Sequence, residues 1–305
     1  MSRLTSPLWR DVVTIHRLEY TLPVAYFCYA ALGACFAPAG DGSWPWGPAL
    51  LAVLANLLLI VGPLALNVAV DSRTDERHQE KRYLAAAASG FGRSRAVRWS
   101  LAELGVGLVL STTVALWTGS WLVAAAATAI IVLQAAYNLE PVRLKRRGFA
   151  GPTAFGIASV GLPFLLSYGA VTSSVDITAW LLASGMGVLA VGRTVWWSLP
   201  DRMADAATDI SAPAVRYGLR RTVALTCVIL AAGLALLVAG LWWRYGPVWA
   251  VLGSAAHGVF LACVATLAAS TSDTMRPSAR RMLKRSLPLV TIAELALVVT
   301  ALANR

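Results

Sequence analysis

The sequence predicts an all-α, polytopic membrane protein, and three observations predict it. First, 58% of its 305 residues are hydrophobic and only 13% are charged, about half the charge of an ordinary soluble domain. Second, the apolar residues form runs of about 20, the length that crosses a bilayer as a helix. Third, the basic residues alternate from one inter-run segment to the next. The mean hydropathy of +0.65 says the same in one number. The surplus of Lys and Arg gives a net charge of +11. In a soluble protein that would suggest nucleic acid; here it reads as cytoplasmic loop charge, and no nucleic-acid partner is expected.

Nine spans are expected, roughly at 20–38, 47–70, 98–117, 120–138, 153–171, 178–197, 221–241, 247–269 and 286–303. They form one domain over 1–305, arranged around a central cavity. Asp11 and Glu19 precede the first run and argue for a retained helix rather than a cleaved leader. One side of the membrane receives the N-terminus and the segments near 71–97, 139–152, 198–220 and 270–285. The other receives short turns such as Gly40-Asp41-Gly42 and Thr118-Gly119-Ser120. Of the 26 Lys and Arg residues, 24 fall on the first side or at its helix ends, leaving only Arg244 and Arg305 opposite. The positive-inside rule therefore puts the N-terminus in the cytoplasm and the C-terminus outside, as an odd number of spans requires. The membrane expected is the cell membrane. Eight of the twelve tryptophans (Trp44, Trp46, Trp117, Trp121, Trp180, Trp242, Trp243 and Trp249) gather at the outer ends, an interfacial belt. The four cysteines lie inside apolar runs with no CxxC pair, and His16, His78 and His257 lack metal-ligand spacing.

The chemistry sits in the acidic residues. The second run ends in Asn67, Asp71 and Asp75, and the sixth leads into Pro200 and then Asp201, Asp205 and Asp209. Residues four apart share a helix face. Like charges so placed repel, and a cation between them removes the repulsion. Oxygen-only ligands select a hard ion, and Mg²⁺ commonly completes its shell with water and phosphate. The chain has fifteen acids in all, and five of them are in these two sets, 130 residues apart by Asp71 and Asp201. Their matching placement at one membrane face hints at a pseudo-repeat. Lys81 and Arg82 follow the first set, and Arg143, Lys145, Arg146 and Arg147 follow the fourth run. Arg143 and Lys145 are two apart, so on a helix only one of them would face the site. Carboxylates and cations around one point suit a polyanion bridged by metal. A transporter of an anionic lipid or metabolite is an alternative, although transporter sites usually lie at the midplane rather than at one face.

At these residues the chain resembles the UbiA-type membrane prenyltransferase superfamily. Three motifs match in order: Asn67-x3-Asp71-x3-Asp75 with Arg82 seven residues on; Tyr137-x3-Pro141-x-Arg143-x-Lys145-x2-Gly148; and Pro200-Asp201-x3-Asp205 followed by Ala214-Val-Arg-x-Gly218. The resemblance covers nearly the whole chain, and nine helices is that family's count. It implies a prenyl diphosphate donor held through Mg²⁺. Asp71, Asp75, Asp201 and Asp205 would be catalytic. Asn67 and Asp209 would join them around metal, and Asn67, Arg82, Tyr137, Arg143 and Lys145 would bind the diphosphate. Ionisation leaves an allylic cation, which an aromatic or other small acceptor attacks in most members; in a smaller branch the isoprenoid cyclises on itself. Tyr83 follows Arg82 where that family has proline, the Ala-rich stretch from Leu84 to Gly90 is about three residues longer, and Ser198 replaces a common aspartate. These departures bear on the acceptor, for which Glu103, Gln134, Asn138, Trp197 and Glu294 are the candidate pocket residues. Glu294 and Glu103 are the candidate bases, and Trp197 offers a ring face to an allylic cation.

Overall fold

A run of apolar residues in lipid must satisfy its backbone internally, and a helix is the local solution. The computed structural model describes residues 8–38, 44–77, 80–208 and 210–305, and every named element among them is helical. The expected turn at Gly40-Asp41-Gly42 lies outside the described residues, as do His78 and Asp209.

Two short helices begin the chain: α1 (Leu8–Ile15) and α2 (Leu22–Phe36). Next come α3 (Trp46–Asp75), the short α4 (Arg82–Phe91), α5 (Arg93–Thr118) and α6 (Trp121–Asn138). The fifth predicted span is α7 (Ala150–Gly156) and α8 (Leu162–Gly169), joined by a π-turn at Ile157–Gly161. After it come α9 (Ile177–Ser198), the short α10 (Arg202–Ala206) and α11 (Pro213–Tyr217), then α12 (Leu219–Tyr245), α13 (Pro247–Ser270) and α14 (Ala279–Ala303). Among the described residues eight helices, with α7 and α8 taken as one, are long and apolar enough to cross a membrane. The remaining expected span, the first at 20–38, is α2, which at 15 residues rises only about 22 Å, short of a bilayer core.

α2, α3, α6, α7–α8, α9, α12, α13 and α14 follow one another as packed neighbours and close into a ring, with α5 laid along α3. Small residues set the closest approaches, as expected where lipid supplies no hydrophobic drive between helices. A Cβ on Gly185 of α9 would stand 2.6 Å from the Leu237 backbone of α12, and one on Gly233 of α12 would stand 2.7 Å from that of Leu189. Buried Asn56 of α3 donates to the carbonyls of Ala30 and Pro163, tying α2, α3 and α8 together.

The two acid-bearing spans are built alike. α3 runs into a short helix, α4, before α5 returns along it; α9 runs into α10 and α11 before α12 returns along it. Gly92 and Gly218 occupy the N-cap positions of α5 and α12 with φ of 96° and 77°, a backbone that side chains avoid. The pseudo-repeat suggested by Asp71 and Asp201 thus has a structural counterpart. At the opposite end Trp46, Trp117, Trp121, Trp180, Trp242 and Trp243 expose their rings. Arg305 also lies there, its guanidinium over the Trp44 ring, and Arg244 pairs with Asp176.

Candidate active site

The ring of helices encloses a cavity of about 300 Å³. One end is polar, lined by Asn67, Asp71 and Asp75 of α3 and by Asp201 and Asp205 at the foot of α9. The body is apolar and aromatic, with Tyr26, Tyr29, Ile60, Leu64, Phe155 and Val290 on its walls. Both acidic sets are thus brought to one end of one chamber.

The first set stands on a continuous helix. Asp71 accepts from Asn67 Nδ2 at 2.9 Å, from Arg143 Nη2 at 3.3 Å and from Lys145 Nζ at 2.5 Å. Both basic residues reach the same carboxylate, against the expectation that only one would. The reason is that 139–149 is not an α-helix there. Arg143 has φ of 35°, and Leu144–Arg146 is a single 3-10 turn, so residues two apart turn to the same side. Gly151 lets this loop rest on α7, where a Cβ would meet Lys145 Cα at 2.7 Å. Lys145 also stands 6.0 Å from the centroid of the Tyr137 ring, which lines the cavity. Burial lowers the Lys145 ammonium, and Asp71 opposes that shift.

The second set sits at a helix break. α9 ends at Ser198, a 3-10 turn carries Pro200 and Asp201, and Asp205 belongs to α10, which stops at Ala206. The single acidic face expected over Asp201, Asp205 and Asp209 is therefore interrupted, and Asp209 itself lies outside the described residues. Lys81 Nζ meets Asp201 Oδ2 at 2.6 Å. Across the cavity burial pushes the Asp75 carboxyl up to about 6; Lys81 and Arg17 pull it down, and Asp71 and Asp201 add to the rise. The loop from Gly148 is tied to this set by its backbone N–H, which donates to Ser211 O at 2.8 Å.

The donor set fits Mg²⁺ of the phosphate-bridging kind. Among the described residues no three His, Cys, Asp or Glu side chains converge into a closed cage. Carboxylates instead face each other across an opening, which suits an ion that keeps water and takes phosphate oxygens. Asp75 and its like-charged neighbours are the groups a cation would relieve.

Six of the expected site residues among those described do not line the cavity; Arg143, one of them, reaches the site through its bond to Asp71. Arg82 is exposed, and its Nε donates to the Glu76 carbonyl; Lys81, one residue earlier, turns inward in its place. Glu103 faces away from the chamber, accepting from Trp99 Nε1 at 3.0 Å and meeting His16 Nε2 at 3.1 Å. Gln134 and Asn138 are buried behind the wall. Asn67 donates to Asn138 Oδ1 at 3.0 Å, Asn138 donates to the Gln134 carbonyl, and Gln134 Nε2 donates to Ser159 Oγ at 3.1 Å. They form a polar strut whose two ends, Asn67 and Ser159, open on the cavity. Glu294 is fully buried and paired with Arg193, so it is not a free base. Trp197 does line the chamber, steadied by donation from its Nε1 to Ser286 Oγ at 2.9 Å. The Ala-rich stretch does not line this cavity either: Leu84, Ala85, Ala87, Ala88 and Phe91 are buried, most of them in a cluster with Ile15, Ala65 and Val68.

Three charged cavity residues escaped the sequence reading. Arg193 had a signal, a guanidinium eight residues before Asp201 inside an apolar span. Arg17 and Glu19 sit in the turn before α2, which no motif marks. Arg17, Tyr20 and Arg143 are the described non-glycine residues with positive φ, and each borders the site. Such backbones persist where surrounding structure over-determines them.

The family model described as the UbiA prenyltransferase family matches residues 25–287. The chain belongs to this family. A solved UbiA homolog from Archaeoglobus fulgidus, bound to DMAPP and Mg²⁺, superposes with a TM-score of 0.71 at 14% identity, covering 96% of this chain and 99% of that one. The same homolog bound to GPP and Mg²⁺ gives 0.72 at 15% identity, with the same coverage. A structure concerned with digeranylgeranylglyceryl phosphate synthase in membranes gives 0.67 at 15% identity, covering 97% and 99%. At these identities the likeness is one of fold. No curated protein sequence matches the chain. Membership of the UbiA family places this integral membrane protein among prenyltransferases.

Proposed function

We propose that the protein transfers a prenyl group from a prenyl diphosphate to a small acceptor, with Mg²⁺ at the aspartate end of the cavity and that end facing the cytoplasm. The observation that carries this reading is the single chamber in which carboxylates and cations at one end give way to an apolar, aromatic body. A prenyl diphosphate has the same polarity along its length. Asp71, Asp75, Asp201 and Asp205, with Asn67, would hold Mg²⁺, and the chemistry supplied by that ion is charge neutralisation on the leaving group. Lys145, Arg143, Lys81 and Arg17 take the remaining phosphate oxygens. The allylic C–O bond breaks with its electron pair on the diphosphate. The acceptor then forms the new bond to carbon and gives up a proton. Glu19 is the carboxylate on the cavity wall outside the aspartate pairs, and burial raises it, so it takes that proton.

A second reading, a terpene cyclase on the same scaffold, draws on the rings of Tyr26, Tyr29, Phe155 and Trp197 along the wall, which would stabilise a migrating cation. Incubation with a panel of prenyl diphosphates and Mg²⁺, with and without phenolic acceptors, separates the two. Prenylated acceptor is the expected product. Cyclic hydrocarbon or alcohol from donor alone would replace transfer by cyclisation, and an inert donor under every condition would end both.

A further inference from the structure

Arg193 is the residue on the cavity wall that neither the aspartates nor the diphosphate explains. It lies on α9, eight residues before Asp201, or about 12 Å deeper at the rise of an α-helix. Its side chain is 2% exposed, and its Nη1 donates to Glu294 Oε1 of α14, itself fully buried. The guanidinium also stands 5.5 Å from the Tyr29 ring centroid, another wall residue. Yet Arg193 Nη2 is buried with no hydrogen-bond partner among the described residues. A buried donor left unmade costs about 1–3 kcal/mol, so a group that reaches it gains what the free protein forgoes.

Which group that is follows from charge. Arg193 and Glu294 neutralise each other, so the inner end of the cavity carries no net charge. A carboxylate bound beside them would leave an uncompensated anion in a bilayer-embedded chamber, which is strongly unfavourable. A carbonyl or hydroxyl oxygen would satisfy Nη2 at no such cost. A prenyl tail has neither group and is served by Ile60, Leu64 and Val290 instead. The span of about 12 Å between Arg193 and the aspartates along α9 leaves room for a reacting allylic carbon and one ring.

We propose that Arg193 is the acceptor-recognition residue, and that the acceptor is a neutral ring compound presenting a carbonyl or hydroxyl oxygen to its Nη2. The proposal rests on the transferase reading, so binding is measured apart from turnover. The full-length protein in detergent, with Mg²⁺ and a prenyl thiodiphosphate that does not ionise, is titrated with 4-hydroxyacetophenone and with 4-hydroxybenzoate. The wild type should bind the neutral ketone at least about tenfold more tightly. The double variant Arg193→Met, Glu294→Leu removes both charges together, an exchange that buried pairs usually tolerate, and should bring that ratio to about one. Arg193→Lys keeps the charge and the pair but loses the planar second donor, and should lower the ratio at least about threefold even if the double variant does not fold. Arg193-dependent binding without prenyl transfer would leave this subsite standing and count against the transferase. Equal or tighter binding of the carboxylate by the wild type, or a ratio unchanged in a folded variant, would overturn it.

Discussion

Each acidic set offers a pair of aspartates four residues apart, and the two pairs stand on different backbones. Asp71 and Asp75 stand on one unbroken 30-residue helix, where a four-residue interval guarantees a shared face. Asp201 and Asp205 straddle the junction between a 3-10 turn and α10, where the same interval guarantees nothing and loop contacts set the outcome. Ile210 N–H donates to the Asp205 carbonyl at 2.9 Å, and Thr208 Oγ1 to that of Ala204, closing the turn. Three side chains donate to Asp71, and Lys81 donates to Asp201. A helix thus pre-positions one half-site with its counter-cations in place. The other half depends on a short loop tied to residue 148.

The largest expected effect tests whether both halves are needed. Asp71→Ala and Asp201→Ala should each lower Mg²⁺-dependent turnover by at least about a hundredfold, several kcal/mol of lost charge stabilisation. Unchanged turnover in EDTA would remove the metal from the comparison altogether. A smaller effect should separate the cations. Lys145 is the more buried of the two lysines, and a charge-assisted bond is worth about 1.5–3 kcal/mol. Lys145→Met should therefore raise the donor KM by about ten- to a hundredfold, and Lys81→Met by less. Equal shifts would mean that the two halves share the diphosphate evenly.

The spans were legible because lipid enforces a simple rule on composition, and the two aspartate sets because periodicity survives in a sequence. What the sequence hid depended on backbone shape outside the spans. The inward turn of Lys81 rather than Arg82 depends on where α4 starts. The convergence of Arg143 and Lys145 depends on one left-handed residue. Glu294 was visible as an intramembrane acid, but its partner Arg193 lies 101 residues away, and only the packing of α14 near α9 brings them together. The Ala-rich stretch departs from the family pattern in length, but its packing against α1 rather than the chamber is visible only in the fold.

A subtler distinction lies in pH. Asp75 is raised to about 6 by burial, more than Lys81 and Arg17 offset. Its charged form is the one that binds a cation, so apparent Mg²⁺ affinity should fall as pH drops through about 6, and added Mg²⁺ should move the acid limb of activity to lower pH. Stability without metal should run the other way. A carboxyl raised on folding binds its proton more tightly in the native state, so between about pH 4 and 6 the metal-free protein should lose stability as pH rises. Titration of Mg²⁺ binding and metal-free melting across pH 4.5–7.5 checks both signs, and an acid limb indifferent to Mg²⁺ would assign it to another group.

The last contrast is between two glutamates near the same end of the bundle. Glu19 lines the cavity; Glu103 does not, and is held by Trp99 and His16 on the far side of α3. Burial pulls the His16 imidazole down, but its bond to Glu103 and the nearby charge outweigh that and leave it raised. The His16–Glu103 contact thus behaves as an ion pair that fastens the N-terminal segment to α5. Glu19→Gln should slow acceptor-dependent turnover about ten- to a hundredfold, at the low end of what a positioned base supplies, with the donor KM little changed. Glu103→Gln should leave turnover within about twofold and instead lower the melting temperature, by the order of 1 kcal/mol of stability that a partly buried charged hydrogen bond provides. That loss should fade as pH rises through the His16 transition, because the raised pKa means the pair contributes while the imidazole is protonated and not above it. Steady-state kinetics beside melting curves at pH 6 and 8.5 distinguish the two residues. A turnover defect in Glu103→Gln with normal melting would return that glutamate to the chemistry and undo the contrast.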